Sequence, residues 1–158
     1  MRPLFLLLVL PIALLAIRAD PMDDPKPSPD LTAEEVIRLQ VEALQANNED
    51  DAGIATAFRF ASPDNRAATG PLERFTAMVK GPAYRDMLGF ERAMYSDIRI
   101  QGDEAAQRVT LVQSDGRRVA YVFGLSRQRG GEYDGCWMTD AVIRQEAPPP
   151  GRNGQRRV

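Results

Sequence analysis

Histidine is absent from this 158-residue chain, and its absence limits the available chemistry. The commonest general base and the commonest transition-metal ligand are lost together. The single cysteine, Cys136, permits neither an internal disulfide nor a cysteine-based zinc site. It stands in a β-rich run beside Trp137 with no histidine to activate it, so it reads as a packed, inert thiol. The run Asn47-Asn48-Glu49-Asp50-Asp51 lacks the spacing and closing glutamate of a calcium loop, and Asp51 reads instead as a helix N-cap. No tightly bound metal and no cofactor is expected. Arg117, Arg118, Arg127 and Arg129 could gather an anion, but Asp115, Glu132 and Asp134 lie close in sequence and neutralise them. A net charge of −2 is too weak to recruit nucleic acid or an anionic membrane surface.

The elements that must position any site follow from periodicity. The strongest local signal is Arg117 to Arg144, two β-rich runs around Arg129-Gly130-Gly131-Glu132-Tyr133-Asp134-Gly135, which reads as a hairpin with a long loop. Four β-rich runs are expected: Phe90–Ile100, Ala105–Gln113, Arg117–Gln128 and Cys136–Arg144. The turns at Gly102-Asp103 and Asp115-Gly116 are short, so the strands should form an antiparallel meander. Alternation puts Val119, Tyr121, Phe123 and Leu125 on one face, with Trp137, Thr139, Ala141 and Ile143 sharing a face in the last strand.

Helices precede the strands. Leu31-Thr32-Ala33-Glu34-Glu35-Val36 carries a capping box and a hydrophobic staple. Ile37, Gln40, Val41 and Leu44 then recur at helical spacing, up to a stop at Asn47-Asn48. A second helix presents Ile54, Ala57, Phe58 and Ala61, and Ser62-Pro63-Asp64-Asn65-Arg66 ends it as a turn. A third opens at Thr69-Gly70-Pro71, with Pro71 as its first helical residue, and presents Leu72, Phe75, Met78 and Val79. Gly81-Pro82 breaks it, and Tyr84–Leu88 makes one further turn.

The ends have other characters. Residues 1–19, Arg2 followed by a short leucine-rich run and small residues, match a secretory signal peptide cut after Ala19. The run is short for a membrane span, so membrane contact is expected only if that segment stays uncleaved. Residues 20–30, proline- and aspartate-rich, read as an extended, solvated linker; residues 31–146 as one domain; residues 147–158 as a disordered tail. The expected location is therefore exported: periplasm, secreted space or organelle lumen. Helices first and a meander after make an α+β layer fold of N-terminal helices on about four strands.

This order of elements, with Leu44-Gln45-Ala46-Asn47-Asn48, Phe58-Arg59-Phe60-Ala61-Ser62-Pro63, Arg74-Phe75-Thr76-Ala77-Met78-Val79 and Gly135-Cys136-Trp137-Met138-Thr139, resembles an uncharacterised family of bacterial and plastid-lineage proteins. That family is similar to the nuclear transport factor 2-like (cystatin-like) superfamily, and the likeness spans about Leu31 to Glu146. The resemblance implies a cone, a bent sheet wrapped around helices with a pocket inside. It implies no activity, since dehydratases, isomerases, hydrolases and non-enzymatic binding modules share the fold. Dehydratases of this kind need a histidine that this chain lacks. Isomerases of this kind pair an aspartate base with a tyrosine donor, which Asp97 or Asp140 with Tyr95 or Tyr121 would supply. Tyr84, Tyr121, Phe123 and Trp137 are the candidate ligand contacts, with core packing the stronger reading of Trp137. The expected role is non-enzymatic: binding a small apolar molecule in the cone, or a protein partner on the open sheet face. The alternatives are a histidine-independent lyase or isomerase and a structural module that forms a homodimer.

Overall fold

The computed structural model describes residues 24–147. The expected signal peptide, the first linker residues and the tail from residue 148 lie outside the described residues. The described chain is a mixed α+β fold of four helices followed by an antiparallel sheet of five strands in the order β1-β3-β4-β5, with β2 also pairing β3.

Helix α1 (Ala33–Gln45) starts where its capping box says it should. The Thr32 hydroxyl accepts from Glu35 N at 3.2 Å, and Thr32 N donates to the Glu35 carboxylate at 2.8 Å. The Thr32 N–H and, at 2.8 Å, the Thr32 hydroxyl both donate to the Glu35 carboxylate and hold it below its ordinary titration range, the backbone bond contributing most. The predicted stripe is the buried one: Val36, Ile37, Gln40, Val41 and Leu44 all face inward.

Helix α2 (Ala52–Arg59) begins after Asp51, but Asp51 does not cap it with its side chain. Its backbone is left-handed (φ 57°), and its carboxylate accepts from Asn47 Nδ2 at 3.1 Å and Lys80 Nζ at 2.6 Å. The open N–H groups of α2 go to the preceding asparagines instead. Ala52 N donates to Asn48 Oδ1 at 3.0 Å and Ile54 N to Asn47 Oδ1 at 3.1 Å. The asparagine pair thus closes α1 and opens α2.

The predicted turn after α2 is a helix, α3 (Pro63–Thr69). Ser62 is its N-cap, accepting from Asn65 N at 3.2 Å, and Pro63 fills the first helical position, where its missing N–H costs nothing. Helix α4 (Leu72–Lys80) is the predicted third helix, with Pro71 one place earlier than expected, at the N-cap. Phe75 and Val79 are buried, whereas Leu72, expected in the core, is 37% exposed. A 3-10 turn follows at Arg85–Met87.

The first expected strand is two strands, β1 (Arg92–Tyr95) and β2 (Arg99–Gln101), both on β3 (Glu104–Val112). The Ser96 side chain makes the break. Its hydroxyl accepts from Arg108 N at 3.1 Å, taking a place that a backbone carbonyl would hold. Strands β4 (Arg118–Arg127) and β5 (Trp137–Gln145) complete the meander. Val119, Tyr121, Phe123 and Leu125 are buried on the helix side, as alternation predicts.

Alternation fails in β5. Leu125 faces Thr139 and Gly124 faces Ala141, so Asp140 is an extra residue, a β-bulge. Beyond it the faces exchange. Val142 pairs with Phe123 and turns toward the core, while Ile143, expected inside, is 59% exposed. The core lies between α1, α2, α4 and the inner sheet face. Residues 24–30 are exposed or half-buried. Asp24 ion-pairs with Arg59, whose guanidinium also donates to the Pro25 carbonyl at 2.9 Å.

Candidate functional site

A cavity of about 350 Å³ lies between the helices and the inner face of β4 and β5. Leu44, Ala57, Phe75, Met78, Met87 and Phe123 make its lining mostly apolar. Its size falls in the range of small-molecule sites. The bulge shapes its rim, since Asp140, Ala141, Val142 and Ile143 all border it. Two contacts hold the neighbouring elements apart across β5. On one side, Thr139 N donates to Phe60 O and Ser62 N donates to Thr139 O, both at 2.9 Å, which ties the start of α3 to the strand. On the other, the Tyr84 hydroxyl donates to Val142 O at 3.0 Å.

Of the sequence-predicted contacts, Tyr84, Phe123 and Asp140 line this cavity. Tyr121 and Trp137 do not. Tyr121 is fully buried behind Tyr84, ring centroids 6.2 Å apart and nearly parallel, with its hydroxyl donating to Ala83 O at 3.0 Å. Burial pushes its phenol up to about 12, with the Asp86 and Tyr84 charges adding and the Arg144 and Arg117 charges opposing. Trp137 sits in the core, its ring 4.9 Å from the Arg127 guanidinium. Tyr95 is half-buried with Arg38 stacked 4.3 Å over its ring, and its phenol is raised first by burial. Asp97 lies in the bend between β1 and β2, on a separate depression with Ser96, Arg99 and Arg108. The Tyr84 and Tyr121 hydroxyl hydrogens are both committed to carbonyls, and neither Tyr95 nor Asp97 is among the residues that line this cavity. Among the described residues no group of three or more His, Cys, Asp or Glu side chains gathers as a metal site. Cys136 is buried, and its thiol is raised first by that burial and then by the Asp134 charge.

The polar lining escaped the sequence reading. Gln40 was legible only as one more member of the α1 stripe, and Asn65 and Thr69 lay in what read as a turn and a helix start. The signal available was a glutamine at a buried stripe position, since such an amide must find partners. Gln40 finds them, donating to Val36 O at 3.2 Å and to Thr139 Oγ1 at 2.7 Å.

An ion-pair hub lies beside the loop that carries Tyr84. The Asp86 carboxylate, almost buried, meets Arg117 and Arg144 at 2.9 Å each. Arg144 also donates to the Pro82 and Ala83 carbonyls, which fixes the loop carrying Tyr84. The Arg117 hydrogen bond, first, and the Coulombic pull of both arginines hold Asp86 below the ordinary carboxylate range. A carboxyl depressed in the folded state stabilises the fold above its unfolded value of about 3.9, and that stabilisation is lost as pH falls through the folded value. Asp86→Asn should cost about 2 kcal/mol at pH 7. A larger loss is not expected, because Arg117 and Arg144 are 50% and 39% exposed and regain water. Urea unfolding at pH 7, 5 and 3 checks this. The gap between parent and variant should be full at pH 7 and 5 and shrink at pH 3. A gap that widens in acid would contradict it.

A family model described as Domain of unknown function (DUF4864) matches residues 27–151. No curated protein and no solved structure matches the chain.

Proposed function

The chain belongs to the domain-of-unknown-function family DUF4864, and we propose that in it this domain binds a small apolar molecule in the cavity between helices and sheet. One observation carries the reading: an apolar cavity of ligand size opens beside a β-bulge, a feature concentrated near functional sites. A helix layer on one face of a meander, with the cavity between them, supports taking the fold as a nuclear transport factor 2-like cone. The alternative of catalysis by an aspartate and a tyrosine draws less on this cavity, where Asp140 is the one candidate acid and the Tyr84 hydroxyl beside it is engaged by the Val142 carbonyl. The apolar start of the sequence supports export, with cleavage after Ala19. A second reading, a protein partner or a second copy on the outer sheet face, draws on the exposure of Ile143 there.

Titration with the neutral fluorescent probe N-phenyl-1-naphthylamine tests the cavity. The full chain should show saturable fluorescence gain at one probe per chain. Ala68 is exposed where it borders the cavity, so Ala68→Trp should narrow the entrance without disturbing the core. It should weaken probe binding about tenfold or more, since each tenfold is only about 1.4 kcal/mol. Absence of saturable binding, or binding indifferent to the tryptophan, would overturn the reading.

A further inference from the structure

The hydrogen-bond inventory of the cavity wall is one-sided. Gln40 spends both amide hydrogens on Val36 O and Thr139 Oγ1. Thr69 spends its hydroxyl hydrogen on Asn65 O at 2.8 Å, and Tyr84 spends its own on Val142 O. Asn65 donates one amide hydrogen to Thr139 O at 2.9 Å and keeps one. Acceptors are left over: Gln40 Oε1, Asn65 Oδ1 and both oxygens of Asp140, none of which receives a hydrogen bond from a described residue. Asp140 also makes no ion pair among the described residues. It is a carboxylate at the rim of an apolar cavity, put there by the bulge in β5. The cation on the same strand, Arg144, is engaged by Asp86 and two carbonyls, and Arg99, which shares a separate depression with Asp140, does not line this cavity.

A wall with acceptors and almost no donors favours a ligand that brings hydrogens. An anion entering it would meet no cation and a like charge. We infer that the cavity takes an amphiphilic amine, an alkyl or aryl chain in the apolar interior with its ammonium at Asp140. This rests on the reading of the cavity as a ligand site. An ammonium fits because it offers three donors, enough for a charge-assisted bond to Asp140 and one to a neighbouring amide oxygen. Asp140 is exposed, so a charged head beside it stays partly in water and its burial is never complete.

Isothermal titration of the full chain with octylamine, octanol and octanoate separates head from chain, because the three share one apolar body. Octylamine should bind about tenfold tighter than octanol, the scale of one partly exposed charge-assisted bond, and octanoate weakest of the three. Asp140→Asn should bring the octylamine-to-octanol ratio to about one, and Ala68→Trp should weaken both. Octanol bound as tightly as octylamine, a preference that survives Asp140→Asn, or amine binding indifferent to Ala68→Trp would each overturn the inference. Failure of all three chains to bind would overturn the cavity reading beneath it as well.

Discussion

Trp137→Ala should cost about 3–5 kcal/mol, a large share of the 5–15 kcal/mol that holds a domain of this kind together. Trp137 is 4% exposed and belongs to the continuous core beneath β4 and β5. It pairs with Arg127 across the strands, and the Arg127 guanidinium lies over its ring. Removing the indole deletes the largest side chain of β5 and leaves a void that the surrounding strands cannot close, because β4 is held on both sides. The loss of the cation–π contact adds a smaller amount, about 0.5–1 kcal/mol. Since Trp137 is the only tryptophan, unfolding is followed by circular dichroism in urea for parent and variant alike. An unchanged slope with a midpoint shifted well down is the expected result. A loss below about 1 kcal/mol would mean that the ring faces a pre-existing void and that the core reading is mistaken.

What the sequence made legible were the features that depend on near neighbours. The α1 capping box needs only Thr32 and Glu35, three residues apart, and its buried stripe needs only the helical period. The meander needs only short turns between β-rich runs, and Gly102 and Gly116 stand at those turns with φ of 60° and 81°. The errors fall where local punctuation has two meanings or a distant partner decides. Ser-Pro ends a helix as readily as it begins one. Here Ser62 begins one, because its backbone is already fastened to Thr139 on a strand 77 residues away. The split of the first strand turns on the Ser96 hydroxyl reaching Arg108, and no period along residues 90–100 carries that information.

The cavity was half legible for the same reason. Phe123 is an aromatic residue in an apolar run and Tyr84 one in a short turn after Gly81-Pro82, and composition alone cannot separate a residue lining a void from one packed behind it. Tyr121 has the same composition signal as Phe123 and lies behind the wall. Asp140 borders the cavity only because the β5 register slips by one residue against Gly124 and Leu125. Strict alternation assigns Ala141 and Ile143 to the wrong face from that point on. A bulge is settled by the pairing of two strands, so neither strand announces it alone.

Gly53→Ala should destabilise the fold by about 1–3 kcal/mol, although it adds a single methyl group. Gly53 is buried in the first turn of α2, where α2 crosses α1. A Cβ there would overlap the Ala43 carbonyl oxygen outright, lie 2.8 Å from the Ala43 carbonyl carbon and stand 3.0 Å from Asn47 Cα. All three are backbone atoms, so no side chain can swing aside. Ala43 lies inside α1, and Asn47 is pinned by its own bonds to Ile54 N and Asp51, so α1 cannot yield locally either. The two helices must separate. That separation would open the seam where Ile37, Val41, Ile54 and Ala57 are buried and would pull Asn47 and Asn48 from the α2 N-terminus that they cap. Alanine in a helix ordinarily gains about 1 kcal/mol over glycine, so the expected sign is opposite to the intrinsic preference. Overpacking of a rigid contact costs about 1–3 kcal/mol, and loss of the asparagine caps adds about 1 kcal/mol more. With the helix gain of about 1 kcal/mol set against these, a net destabilisation of about 1–3 kcal/mol is expected in urea or thermal unfolding. Gly53→Ala equal to the parent, or more stable, would show that α1 and α2 do not approach this closely.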